Sequence, residues 1–169
     1  MNILSEVKDG LSKAFPHLNF RVLEEVMQIP LDSYDSKRKQ FNSSRILAKI
    51  NSFSKKCELE HVLGITDIDL FVPHLNFVFG EAEYGGRAAV ISLFKLRPEF
   101  YGQNSDRRLF IERSVKEALH EVGHMLGLGH CDNSKCVMFF SNSISETDRK
   151  GVLLCEKCKS LVTNQSSRG

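Results

Sequence analysis

Charge of one sign is what this sequence has least of. Its 23 lysines and arginines stand against 21 aspartates and glutamates, a net charge of +2. A nucleic-acid-binding surface normally needs a clustered basic excess. The densest basic run here, Lys37-Arg38-Lys39, reads as a solvated face inside a polar stretch, so no nucleic-acid partner is expected. Long hydrophobic runs are missing too. No window approaches the ~18 apolar residues of a membrane span, and residues 1–15 alternate apolar with charged positions instead of forming the apolar core of a signal peptide. No membrane association is expected, and the cytoplasm is the default compartment. There is no internal repeat and no low-complexity tract. With 41% apolar and 26% charged residues, the chain is neither disordered, collagen-like nor a disulfide-dense miniature. Its 169 residues have room for one domain, taken as residues 1–169.

Cysteine is scarce but unevenly placed. Of the five, Cys57 stands alone, whereas Cys131, Cys136, Cys155 and Cys158 crowd the last quarter of the chain. In a reducing compartment such a cluster favours metal over disulfides. Elsewhere the pattern is ordinary. Leu4, Val7, Leu11, Ala14 and Phe15 recur at helical spacing. Residues 20–26 alternate like a strand, and 31–40 are polar and turn-rich. A second helix, capped by Asn42 or Ser43, carries Ile46, Leu47, Ile50 and Phe53. Strand signals follow at 61–66, 75–79 and 87–96. Asp106 then opens a long helix with Val115, Leu119, Val122, Met125 and Leu126, beyond which the sequence looks loop-like. The expected class is α/β or α+β: one twisted mixed sheet with helices in a single compact domain.

The decisive string is His120-Glu121-Val122-Gly123-His124-Met125-Leu126-Gly127-Leu128-Gly129-His130. Helix positions four apart differ by about 40° in azimuth, so His120 and His124 share a face one turn apart. Their imidazoles can reach one ion at roughly 2.1 Å each. Glu121 lies about 100° round the helix from His120, suited to touching a water at the metal and not to joining its ligands. Gly127 falls where the helix must stop, because glycine accepts the left-handed conformation of such a stop. The turn can then return His130 as a third ligand. Three imidazoles leave one position of a tetrahedral zinc open, the mark of a catalytic site. In that chemistry Glu121 takes a proton from the attacking water and passes it to the leaving amine.

This pattern resembles the metzincin peptidases. The continuation His130-Cys131, Cys136-Val137-Met138, Cys155 and Cys158 is similar to the archaemetzincins in particular, as are Asn76-Phe77-Val78-Phe79-Gly80 and Gly85-Gly86-Arg87. The similar region runs over residues 62–158, with the specific motifs in 120–158. The resemblance implies a metzincin-like fold and a catalytic zinc motif with its Met-turn at 120–138. It further implies that Met138 forms the floor beneath that zinc and that residues 131–158 hold a structural zinc. An edge strand above the cleft, here residues 87–96, is expected to bind extended substrate. One departure lies at the start. The family usually opens with a strand before its first helix, whereas Met1 enters almost directly at that helix.

Spacing alone also allows the second metal. Cys131 and Cys136 are separated by four residues, Cys155 and Cys158 by two, with 18 between the pairs. Four thiolates so spaced can close a tetrahedral zinc and tie the loop after His130 to the C-terminal segment. Two disulfides are the rival reading. Two zinc ions per chain are therefore expected, one catalytic and one structural. Other signals carry no site: His17, His61 and His74 lack a motif, and Asp67, Asp69, Glu81 and Glu83 read as solvated strand faces. Cys57 reads as a half-buried apolar residue and Ser114 as an ordinary helix position. The function expected is a zinc-dependent metallopeptidase acting on peptides or proteins, aminopeptidase action being open. The alternatives are a zinc-stabilised peptide-binding protein on the same scaffold with little turnover, and a nucleic-acid-binding zinc protein, which the even charge disfavours.

Overall fold

The computed structural model describes residues 2–166. In chain order the elements are α1 (Ile3–Ala14), β1 (Tyr34–Asp35), β2 (Gln40–Asn42), α2 (Ser43–Lys56), β3 (Val62–Thr66), β4 (Leu70–Phe71), β5 (Gly80–Ala82), β6 (Ala88–Ser92), α3 (Arg107–Met125), α4 (Ile144–Arg149) and α5 (Glu156–Ser166). Short 3-10 turns occur at Leu31–Ser33, Phe94–Leu96 and Pro98–Tyr101. The strands form two three-stranded mixed sheets, ordered β1-β2-β4 and β3-β6-β5.

The second sheet organises the molecule. Its central strand β6 pairs parallel with β3 and antiparallel with β5, and all five of its residues are buried. Alternate side chains of a strand point to opposite faces. Ala88 and Val90 accordingly pack with Ile46, Ile50 and Leu70 on the α2 side. Ala89 and Ile91 pack with Val7, Leu11, Leu119 and Val122 on the side of α1 and α3. A strand covered on both faces reads as a continuous apolar run. That is why the sequence shows no clean alternation there.

Helix starts follow local chemistry. Asn2, Asn42 and Asp106 each cap a helix, their side chains accepting from the backbone N–H of Leu4, Arg45 and Leu109. The helix α3 carries an unusual load for an interior helix: Arg113, Lys116 and Glu117 are all buried. Each grips α4. Arg113 forks onto the Asp148 carboxylate at 2.7 and 2.8 Å. Lys116 Nζ donates to the carbonyls of Thr147 and Asp148, each at 3.1 Å. Glu117 accepts from the Thr147 hydroxyl at 3.3 Å. These rungs fix the segment that walls one side of the cleft described below.

Several expectations change. Residues 20–26 form no strand; Phe20 packs on Phe15 and Met27 and Ile29 pack on the α2 cluster, so side-chain burial replaces a ladder. Residues 75–79 make only an isolated bridge, Leu70 to Val78. The carbonyls of Leu75 and Asn76 are taken by Arg38, and that of Asn76 also by Gln40, which leaves less backbone for pairing. Of residues 87–96 only 88–92 are strand, and that strand is central; β3 and β5 are the edges, and β5 is the one that borders the cleft. The segment beyond α3 holds two helices, α4 and α5, where loop was expected. In place of one sheet there are two. Among the described residues, no strand precedes α1, and β3 is left at the sheet margin.

Candidate metal centre and catalytic cleft

The C-terminal half of α3 presents Glu117, His120, Glu121 and His124 at helical spacings of three and four, a single stripe. The helix stops at Leu126. Gly127 follows with φ of 79°, its N–H donating to His124 O while Leu128 N–H donates to Gly123 O, each at 2.9 Å. This is the left-handed stop that glycine favours, and it turns the chain so that His130 comes back over the helical histidines. The ring of His130 lies 5.3 Å from that of His120 and 4.9 Å from that of His124.

The histidines are oriented from behind. His120 Nδ1 lies 2.9 Å from Val137 O, and His124 Nδ1 lies 2.8 Å from Leu128 O. With Nδ1–H donated to a carbonyl, each ring presents its bare Nε2 forward, the arrangement that metal-ligating histidines usually show. The two Nε2 atoms are 3.1 Å apart, and one nitrogen from each of the three rings falls within 4.8 Å of the others. Ligands at ~2.1 Å around a tetrahedral ion sit roughly 3.4 Å apart. The donor set fits zinc. Burial lowers the affinity of all three rings for protons, which keeps them neutral and able to ligate.

Glu121 is almost wholly buried in the same cleft. Burial first, then the neighbouring Glu117 charge, pushes its carboxyl well above the usual carboxylate range, while Lys150 pulls the other way. Beneath the helix lies Met138, fully buried. Gly123, between the two helical histidines, allows this approach, since a Cβ there would stand 2.4 Å from the Met138 sulfur.

One residue past His130 the second cluster begins. The sulfurs of Cys131, Cys136, Cys155 and Cys158 all lie within 4.8 Å of one another, and Cys131 Sγ is 3.7 Å from Cys155 Sγ. Sulfurs of a tetrahedral zinc site sit roughly 3.8 Å apart, whereas a disulfide needs about 2.05 Å; all four are free thiols. The spacing fits a metal and not the rival pair of disulfides. Burial raises Cys136 and Cys158, while hydrogen bonding, led by the Cys158 backbone, lowers Cys155 to about 7.

A cleft of about 470 Å³ opens over the histidines, lined by β5, by residues 75–79 and by Phe140, Ser141, Asn142 and Lys150. Of the carboxylates discounted from sequence, Asp67 and Asp69 are paired with Arg97 and Lys95, and Glu83 holds Asn51 and the backbone of Arg87. Glu81 alone reaches the cleft, its oxygens accepting from the hydroxyls of Ser43 and Ser44. His17, His61, His74 and Cys57 are exposed and join neither cluster. Ser114 donates to Phe110 O within α3. Sequence reasoning missed Glu117, Ser141 and Lys150. The helical offset of Glu117 from Glu121 could have revealed the first; the other two have no local signal.

No helix among the described residues is long and apolar enough to cross a membrane. Comparison with known proteins gives the family. The model of peptidase family M54 matches residues 7–164. The archaemetzincin of Pyrococcus horikoshii is 47% identical over 126 residues, covering 75% of this chain and 67% of the relative. The crystal structure of archaemetzincin from Methanopyrus kandleri superposes with a TM-score of 0.87 at 36% identity, over 98% of this chain and 87% of that one. That of a zinc-dependent peptidase from Methanocorpusculum labreanum gives 0.86 at 32% identity, over 95% and 93%. A match across so much of the chain, together with a histidine set of the right geometry, makes this protein a member of peptidase family M54, the archaemetzincins, and a zinc metallopeptidase.

Proposed function

We propose that Glu121 is the general base and acid of peptide-bond hydrolysis. In this reading His120, His124 and His130 hold a catalytic zinc, Cys131, Cys136, Cys155 and Cys158 hold a structural zinc, and each chain carries two ions. The observation that carries the reading is the convergence of one ring nitrogen from each of the three histidines with the Glu121 carboxylate in one cleft. Zinc bound there supplies Lewis acidity toward a peptide carbonyl and makes water a better nucleophile near neutral pH.

The chain's own residues do the rest. Carbonyls of Val137 and Leu128 hold His120 and His124 in the ligating orientation. Among the described residues, edge strand β5 pairs on one side only, with β6, and its residues line the cleft; its other side offers an extended peptide main-chain pairing. The Glu121 carboxylate then accepts a proton from the attacking water and returns it to the amine of the departing product. Its burial favours the protonated form once the proton has been taken. Met138, packed under Gly123, would serve as the floor of the zinc site. Reduced thiols suit the cytoplasm, which we take as the working compartment.

Glu121→Gln tests the assignment. The variant should retain its zinc and its melting temperature while kcat falls by roughly 10²–10⁴-fold, the usual range for a general acid–base group. Unchanged hydrolysis by a zinc-loaded variant would overturn the role.

A further inference from the structure

The cleft contains a feature that the hydrolytic machinery leaves unexplained. Among the described residues, four buried side-chain polar atoms lack a hydrogen-bond partner: Asn51 Oδ1, Asp69 Oδ1, Ser141 Oγ and Lys150 Nζ. The last two line the catalytic cleft. Buried donors without partners are costly, a charged one most of all, so two in one cavity call for an explanation.

Lys150 is 2% exposed and follows directly on α4, whose contacts with Arg113, Lys116 and Glu117 hold it in position. Its ammonium stands 3.0 Å from Glu117 Oε1 but is not aligned for a hydrogen bond. It is a charge neighbour of Glu117 with donor capacity to spare, since an ammonium carries three N–H donors. It lines the same cleft as His120, Glu121, His124 and His130. Ser141 Oγ, a hydroxyl from the same wall, adds a second unused donor.

The other charged groups decide which ligand these donors suit. The cleft is lined by the carboxylates of Glu81, Glu117 and Glu121, and Lys150 is its one lysine or arginine among the described residues. A divalent ion on the histidines would bring the formal charge of this lining to zero, so net charge selects nothing and local pairing decides. Glu81 already accepts from two serine hydroxyls and Glu117 from Thr147, whereas Lys150 and Ser141 have donors unfilled. A substrate acceptor, preferably anionic, would complete them, and a charge-assisted N–H···O bond is roughly twice as strong as a neutral one.

We propose that Lys150 and Ser141 form a specificity subsite that binds a carboxylate of the peptide substrate near the cleaved bond. That carboxylate belongs to an acidic side chain or to a free C-terminus; the chemistry is common to both. The inference rests on the cleft being the peptide site but does not depend on Glu121 acting as base.

The test is binding, measured by titration calorimetry on zinc-loaded Glu121→Gln protein, where turnover does not intervene. Three peptides of one parent sequence are compared. The first has an internal glutamate and an amidated end, the second glutamine with an amidated end, and the third glutamine with a short free C-terminus. We expect one carboxylate peptide to bind about tenfold tighter than the doubly neutral one, and which of the two does so identifies the source. Adding Lys150→Met should reduce the discrimination to within about twofold. Adding Ser141→Ala, at a half-buried position expected to tolerate the change, should reduce it partially and keeps the test available if the lysine variant misfolds. Equal binding of all three peptides, or discrimination that survives both substitutions, overturns the subsite. Failure of Glu121→Gln to slow hydrolysis would count against the general-base role and leave this result standing.

Discussion

The two clusters on either side of the bond between His130 and Cys131 are built by opposite strategies. Two histidines come from consecutive turns of one rigid helix, and the third returns through a single glycine stop. Little chain has to be ordered to assemble them, and one side remains open to a cleft. The cysteines come from a loop, from the residue just before α5 and from α5 itself, and their sulfurs lie within 4.8 Å of one another, with Cys136 and Cys158 buried in the main apolar core. Helix-borne ligands are preorganised for chemistry, while loop-borne ligands draw distant segments together, so that metal affinity becomes folding energy. The clusters also communicate. Val137, next to Cys136, supplies the carbonyl that orients His120, and Cys131 N–H donates to Met138 O at 3.0 Å.

The largest effect should come from attacking the cysteine side. Cys136→Ser is expected to lose both metals, because the loop bearing Val137 and Met138 loosens, whereas His124→Ala should lose one and keep its fold. Structural zinc sites in small domains are worth roughly 10 kcal/mol or more, so the cysteine variant should also lose most of its cooperative thermal transition. Elemental analysis beside calorimetric melting reads both. One zinc retained by Cys136→Ser would show the clusters to be independent. A smaller effect is expected where they meet: Gly123→Ala drives a methyl into the Met138 sulfur. It should cost about 1–3 kcal/mol by overpacking, and Met138→Ala in the same chain should relieve part of that in a double-mutant cycle of denaturant midpoints. An unchanged midpoint for Gly123→Ala would sink the close contact.

The mildest test uses pH. Burial lowers the three histidines from their ordinary value of 6.5. A lowered value means that protons compete less at any given pH, so the histidine-bound metal should persist through pH 6.5 and leave only below it. Zinc retained after gel filtration at stepped pH would show this, and release of one equivalent above pH 6.5 would contradict it.

Legibility from sequence followed the range of the interactions. The helical pair His120 and His124, the stop at Gly127 and the caps at Asn42 and Asp106 all act within a turn or two, and spacing alone reveals such features. The cysteine cluster was readable because few side chains other than thiols, at those intervals, have reason to gather. By contrast, β6 looked like an edge strand above the cleft. Only its pairing with a strand on each side shows it to be central, and the edge that borders the cleft is three-residue β5. The helices α4 and α5 escaped notice because their positions depend on partners in α3 and in the core more than on an apolar stripe of their own.

By itself, then, the sequence determined the types and intervals of the clustered side chains and the carboxylate adjacent to the first histidine, since helix geometry converts spacing directly into direction. Tertiary structure decided what surrounds them: which strand borders the cleft, that Glu117 meets Lys150 across 33 positions, and that Ser141 faces the same space. Those contacts join residues distant along the chain, and a pattern of local spacing carries no record of them.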